Sequence, residues 1–212
     1  MSVSKELKKI EDLYTGNLKA QGTVSTAVGW NSPESQQLRF EKLTTVIEDR
    51  TSPVSINDYG CGYGAHLEYV IKQCGIQVAA YHGYDLSESM LAAAKENLGF
   101  FKGELDLRRA KDIATTADFS FVSGTFNVRF DSTYEDWRAF IEAKLAQIDA
   151  HSTRGFAFNL LSSYVDWQDP HLFYGDPSYW FDLCKRKYSK CVALLHDYPL
   201  HEWTIVVRKH VT

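Results

Sequence analysis

Beyond Pro53 the chain alternates short apolar runs with stretches whose apolar residues recur every three or four positions. The short runs read as buried strands and the periodic stretches as helices. Runs at 54–59, 77–84, 105–109, 118–124 and 155–161 are the expected strands. Leu67/Val70/Ile71, Met90/Leu91/Ala94, Trp137/Ile141/Leu145 and Trp180/Phe181/Cys184 mark helices between or after them. Strand–helix alternation of this kind demands parallel strands with helices on both faces. The alternation stops at the end, where Cys191–His196 and Glu202–Arg208 are separated only by a turn around Pro199, so these two pair as an antiparallel hairpin.

The first 52 residues follow other rules. Leu7, Ile10, Leu13, Tyr14 and Leu18 lie at helical spacing, whereas QGTVSTAVGWNS has too little periodicity for regular structure. Ser32-Pro33-Glu34 is a helix start, with an N-cap hydroxyl, proline at the first helical position and an early acid. Residues 1–52 are therefore expected to cap the strand ends of a core over 53–212, the whole forming a single domain. With no internal repeat or linker, 212 residues suffice for one such core.

A formal charge of -4 without clustered cations argues against a nucleic-acid partner. Lys185-Arg186-Lys187 reads as a solvated helix end. Cys61, Cys74, Cys184 and Cys191 show no CxxC pair or zinc spacing, so no metal is expected. The charged start lacks a signal-peptide pattern, and no segment approaches the ~18 apolar residues of a spanning helix. The expectation is a cytoplasmic, reduced protein without a membrane partner.

INDYGCGYGAHL places three glycines within five residues between the first strand and its helix. Glycines there admit a ligand close to the backbone at the C-terminal edge of the sheet. Two chemistries fit. Gly60, Gly62 and Ala65 satisfy GxGxxA, with Asp85 near the distance of a ribose contact, as in a nicotinamide-dinucleotide oxidoreductase. Alternatively Asp58, two residues before Gly60, holds the ammonium of an amino-acid-bearing nucleoside, whereas a pyrophosphate gains nothing from an anion there.

DYGCGYG resembles motif I of the class I S-adenosylmethionine-dependent methyltransferases, and YDLSESMLAAAKEN resembles their second-strand motif. The resemblance implies a Rossmann-like, seven-stranded fold closed by an antiparallel hairpin strand, which LLHDYPLHEWTIVVRK supplies. It implies a cofactor site of Asp58, Gly60, Cys61 and Gly62, with Asp85 on the ribose and Leu86 and Met90 at the adenine. Asp112 and Ile113 resemble the adenine corner after the third strand. ADFSFVSGTFNV resembles motif IV and adds Ser123 and Gly124. Arg39 fits the upstream basic residue that holds the cofactor carboxylate. The product of such an enzyme is S-adenosylhomocysteine.

SGTFNV lacks the Asn/Asp-Pro-Pro-aromatic tetrad of enzymes that methylate base nitrogens, which argues against a DNA substrate. The compact form with a short N-terminal cap resembles stand-alone bacterial enzymes, which implies transfer to an O or N, or else a C or S, of a small-molecule metabolite or natural-product intermediate. Candidate acceptor contacts are Tyr14, Trp30 and Gln37 from the cap, Asn127 and Arg129 after strand four, and Tyr164 and Trp167 after strand five. His171, His201 and His196-Asp197 are possible proton acceptors, but none is singled out as catalytic. A non-catalytic S-adenosylmethionine-binding protein is the third reading.

Overall fold

The computed structural model describes residues 3–30 and 32–209. A single sheet organises them. Its strands are β1 (Val54–Tyr59), β2 (Val78–Asp85), β3 (Glu104–Arg109), β4 (Ala117–Val122), β5 (Ser152–Ser162), β6 (Tyr174–Gly175), β7 (Cys191–Leu195) and β8 (Glu202–Arg208). The spatial order is β3-β2-β1-β4-β5-β8-β7, with β6 beside the end of β5. Strands β1 to β6 pair parallel, and β8 runs antiparallel to both β5 and β7. Strand order reverses between β1 and β4, so the loops after these strands diverge and open a crevice at the carboxyl edge.

Side-chain alternation divides the core in two. Leu43, Val54, Ile56, Leu67, Phe121 and Val206 bury one sheet face beneath α2 (Pro33–Thr44), α3 (Ala65–Lys72) and α4 (Glu88–Asn97). Phe156, Phe158, Ile205 and Val207 bury the other beneath α5 (Tyr134–Ala150) and α6 (Pro177–Lys187). Neighbours in one strand, such as Val206 and Val207, thus serve opposite layers.

The caps form as expected. Ser32 accepts from Ser35 N in a reciprocal capping box with Pro33 behind it, and Asp176 caps α6 ahead of Pro177. Two elements go beyond the expected string. Ser25–Val28 makes one 3-10 turn, ended by Gly29 at φ 84°, inside the segment expected to be irregular. β6 is two residues long, too short for any periodic signal. Helix α1 (Val3–Gln21) packs on the 3-10 turn, α4 and α5, and so lies across the open edge of the sheet.

Candidate functional site

The glycine loop is built by backbone conformations that side chains resist. Gly60, Gly62 and Gly64 have φ of 80°, 52° and 80°. Gly60 N and Cys61 N donate to Tyr84 O at 2.8 and 3.1 Å, which seats the loop on the end of β2. A Cβ on Gly60 would fall 2.1 Å from Thr125 Oγ1, whereas one on Gly62 would meet only Val28, at 3.5 Å. Gly60 is thus closed against the loop after β4, and Gly62 is the glycine that faces open space.

Asp85 joins this loop to the next. One carboxylate oxygen accepts from Gly62 N and the other from Ser87 N, both at 2.9 Å. Burial raises its pKa, while those two amides act in the opposite direction. Asp58 is 2% exposed and accepts from Tyr81 Oη at 2.7 Å. Burial lifts its pKa to about 7, against the lowering effect of that hydrogen bond. No cation pairs with Asp58 among the described residues. A buried carboxylate with remaining acceptor capacity suits an ammonium.

Both acids line a cleft of about 1010 Å³, counting its open mouth. Gly60, Cys61, Gly62, Ser123 and Gly124 form its floor, and Leu86, Met90 and Ala110 close one end. The cap supplies the roof through Ile10, Glu11, Tyr14, Val28 and Trp30. Tyr14 is held protonated, its pKa raised to about 12 by burial and by Asp85.

Several expected residues lie elsewhere. Asp112 is 48% exposed and paired with Lys144, which holds its carboxyl below the usual range, and Ile113 belongs to the α5 side of the core. The Arg39 guanidinium points away from the cleft floor and grips Glu202, with Nε 2.8 Å from Oε2. Gln37 faces a neighbouring groove between α2 and α3, while Gln36 lines the cleft. The Asn127 side chain accepts from Leu161 N, and Arg129 donates to Leu172 O and Ser132 O, so both tie loops together. Tyr164 and Trp167 are 70% and 72% exposed. His171, His196 and His201 are exposed too, and Asp197 lies 3.7 Å from Lys42.

The cleft also contains residues not expected there: Phe40, Tyr59, Tyr63, His66, Tyr84 and Thr125. Gln36 and Phe40 share the stripe that continues to Leu43, so their burial was available from spacing alone. His66 packs face to face on Phe40 and edge-on to Phe121, and its Nε2 lies 3.1 Å from Thr44 Oγ1. Burial drops its pKa to about 3, leaving a neutral imidazole that ties α3 to α2.

An open α/β sheet with an acid–glycine turn and a second acid at the switch point defines a nucleoside-binding Rossmann-like protein. A family profile described as a methyltransferase domain matches residues 56–146. A Mycobacterium tuberculosis protein provisionally named methyltransferase Rv1506c is 48% identical over 167 residues, covering 77% of this chain and 98% of that protein. The fold is also similar to that of magnesium protoporphyrin IX methyltransferase from Synechocystis PCC 6803, solved with S-adenosylhomocysteine bound. That likeness has a TM-score of 0.68 at 12% identity, over 97% of this chain and 100% of the other. The plantazolicin methyltransferase BpumL gives 0.59 at 14% identity, over 98% and 99%. The chain belongs to the class I S-adenosylmethionine-dependent methyltransferases. The oxidoreductase reading is set aside by this membership. Among the described residues no helix is long and apolar enough to cross a membrane, and no group of three or more His, Cys, Asp or Glu is placed to hold a metal.

Proposed function

We propose that the chain methylates an O or N of a small-molecule acceptor inside the capped cleft, as one domain spanning residues 1–212. The observation that carries this reading is the convergence of Asp58, Asp85 and the Gly60–Gly62 turn on one cavity roofed by Tyr14 and Trp30. When bound, S-adenosylmethionine supplies a methyl group activated on a sulfonium. The chain's own part is to bind, orient and exclude water.

In this reading Asp85, already oriented by Gly62 N and Ser87 N, accepts from both ribose hydroxyls. Asp58 takes the ammonium, which favours its ionised form. Leu86, Met90 and Ala110 enclose the adenine. Cys61 serves as packing, since burial pushes its thiol well above the ordinary range. The aromatic roof keeps bulk water from the reacting atoms. Structures of similar fold are described as acting on a porphyrin, on plantazolicin and on an amino pentose, and one as a methylase of ribosomal protein L11; what favours a small-molecule acceptor here is the capped, aromatic-lined cleft.

Incubation with labelled S-adenosylmethionine and fractionated small-molecule extract tests the proposal. Transfer of label to a low-mass compound is the expected result. Transfer only to protein or nucleic acid, or no transfer by protein that binds S-adenosylhomocysteine, would overturn it.

A further inference from the structure

The amino-acid end of S-adenosylmethionine carries a carboxylate and an ammonium on the same carbon. Asp58 suits the ammonium, but among the described residues no Lys or Arg lines the cleft to meet the carboxylate. Arg39, the cation of α2 expected in that role, is committed elsewhere. Its Nε lies 2.9 and 2.8 Å from the two Glu202 oxygens, Nη1 donates to Ser35 O at 2.8 Å, and the Trp30 ring centre is 3.9 Å from its guanidinium carbon. Arg39 and Glu202 are both buried, so drawing the guanidinium away would leave a buried carboxylate unpaired.

Packing shows which neutral donors stand beside Asp58. Asp58 pairs across the sheet with Phe121, so the two side chains leave the same face. The His66 ring meets Phe121 edge-on at 4.5 Å and stacks on Phe40 at 4.7 Å. Gln36 lies one turn before Phe40 on α2, and Asp58, His66, Phe40 and Gln36 all line the cleft. Three sets of unused donors meet there. Helix α3 begins after Gly64 with no side-chain cap, and the amides of Ala65, His66 and Leu67 have no acceptor among the described residues. His66 is 4% exposed, with Nε2 beside Thr44 Oγ1 and no partner for Nδ1 among the described residues. Gln36 is 8% exposed, and its amide meets only the Tyr63 hydroxyl, 3.3 Å from Nε2 and 3.4 Å from Oε1. The second N–H of Nε2 therefore has no partner among the described residues.

We propose that the cofactor's carboxylate is held without a protein counter-ion, by the Gln36 side-chain amide and the uncapped first turn of α3, with His66 as a further donor. The inference rests on the cofactor occupying this cleft with its ammonium on Asp58. Gln36 Nε2 donates to one carboxylate oxygen and the α3 amides to the other, where the positive end of the helix dipole favours an anion. With Thr44 donating to His66 Nε2, the neutral imidazole carries its proton on Nδ1 and donates as well. A guanidinium at this place would set a fixed positive charge beside the cofactor's own ammonium and sulfonium, a repulsion that neutral donors avoid.

Calorimetric titration with two ligands tests this: S-adenosylhomocysteine and its decarboxylated analogue, which keeps the adenine, ribose, thioether and ammonium. The native protein should prefer S-adenosylhomocysteine at least ~tenfold. Gln36→Leu should weaken S-adenosylhomocysteine at least ~tenfold and the analogue less than about threefold, which closes the gap. Gln36→Glu, of the same size, should weaken S-adenosylhomocysteine more than Gln36→Leu does, while the analogue binds as well as to the native protein or better. That opposition of the two ligands is not produced by loosening alone. The Arg39→Met/Glu202→Leu protein should keep the native preference. In the native protein the Gln36 side-chain amide NMR signals should shift with S-adenosylhomocysteine and stay in place with the analogue, and this measurement decides if neither Gln36 variant folds. The inference is overturned by equal native affinities, by equal losses of both ligands in a folded Gln36 variant, or by unmoved Gln36 signals. It is overturned too if the preference survives in Gln36→Leu and is lost in Arg39→Met/Glu202→Leu, which would give the carboxylate to Arg39. Failure of the native protein to bind either ligand would instead count against the proposed function.

Discussion

Replacing Gly60 by Ala isolates the contact between the two loops that make the cleft floor. At φ 80° an L-residue is left-handed, costing about 1–2 kcal/mol. The new methyl would also lie 2.1 Å from Thr125 Oγ1 and 2.7 Å from Cγ2. Thr125 must retreat, breaking the bond from its hydroxyl to Tyr59 O at 2.9 Å. That bond contributes about 0.5–1.5 kcal/mol net. Together these effects predict a loss of about 2–4 kcal/mol, and for a domain of this size about 3 kcal/mol lowers the melting midpoint by about 6–12 °C. Urea unfolding followed by tryptophan fluorescence reads the loss. Thr125→Ala in the same background should recover about 1–2 kcal/mol relative to additivity, because the two side chains then no longer compete for one space. A Gly60→Ala protein within about 0.5 kcal/mol of the native one, or strict additivity in the double variant, would refute the argument.

Asp58 gives a pH dependence of defined sign. Its folded pKa, about 7, exceeds the ordinary value of 3.8, so its contribution to stability is full below pH 3.8 and lost as pH rises through 7. Asp58→Asn should flatten that decline in the cofactor-free protein, by up to ~4 kcal/mol at pH 8, in denaturation curves across pH. Cofactor binding near pH 6.5 should release a proton, seen as a buffer-dependent heat. Glu202→Leu should destabilise by about 3–5 kcal/mol in urea unfolding because Arg39 is left buried and unpaired, whereas the Arg39→Met/Glu202→Leu double variant should recover most of it.

Periodicity made the sheet legible, because residues buried on both faces leave nearly continuous apolar runs such as Phe156 to Leu161, interrupted only by Asn159. The hairpin was legible because five residues between two strands leave no space for a crossover helix. Local chemistry also marked Ser32-Pro33 and Asp176-Pro177. What spacing does not carry is partner identity. Arg39 and Glu202 are separated by 163 positions, and only the seating of β8 beside β5 brings them together. Gln37 was chosen where Gln36 faces the cleft, because one residue turns a helix by about 100°. Asp112 sits where a family corner residue is expected, yet it is paired with Lys144 of α5 and is not among the residues lining the cleft. Tyr14 and Trp30 line the cleft, Trp30 just beyond a 3-10 turn too short to carry a periodic signal.

The central claim is that the joint between the glycine turn and Asp85 holds the cofactor, and calorimetric titration with S-adenosylhomocysteine tests it most directly. The account predicts one site per chain, with Asp85→Ala weakening binding at least ~100-fold, since two hydrogen bonds to a charged group contribute about 1.5–3 kcal/mol each. Asp112→Ala, outside the cleft lining, should change affinity less than about threefold, under ~1 kcal/mol. Native-like affinity in a folded Asp85→Ala protein would contradict the account.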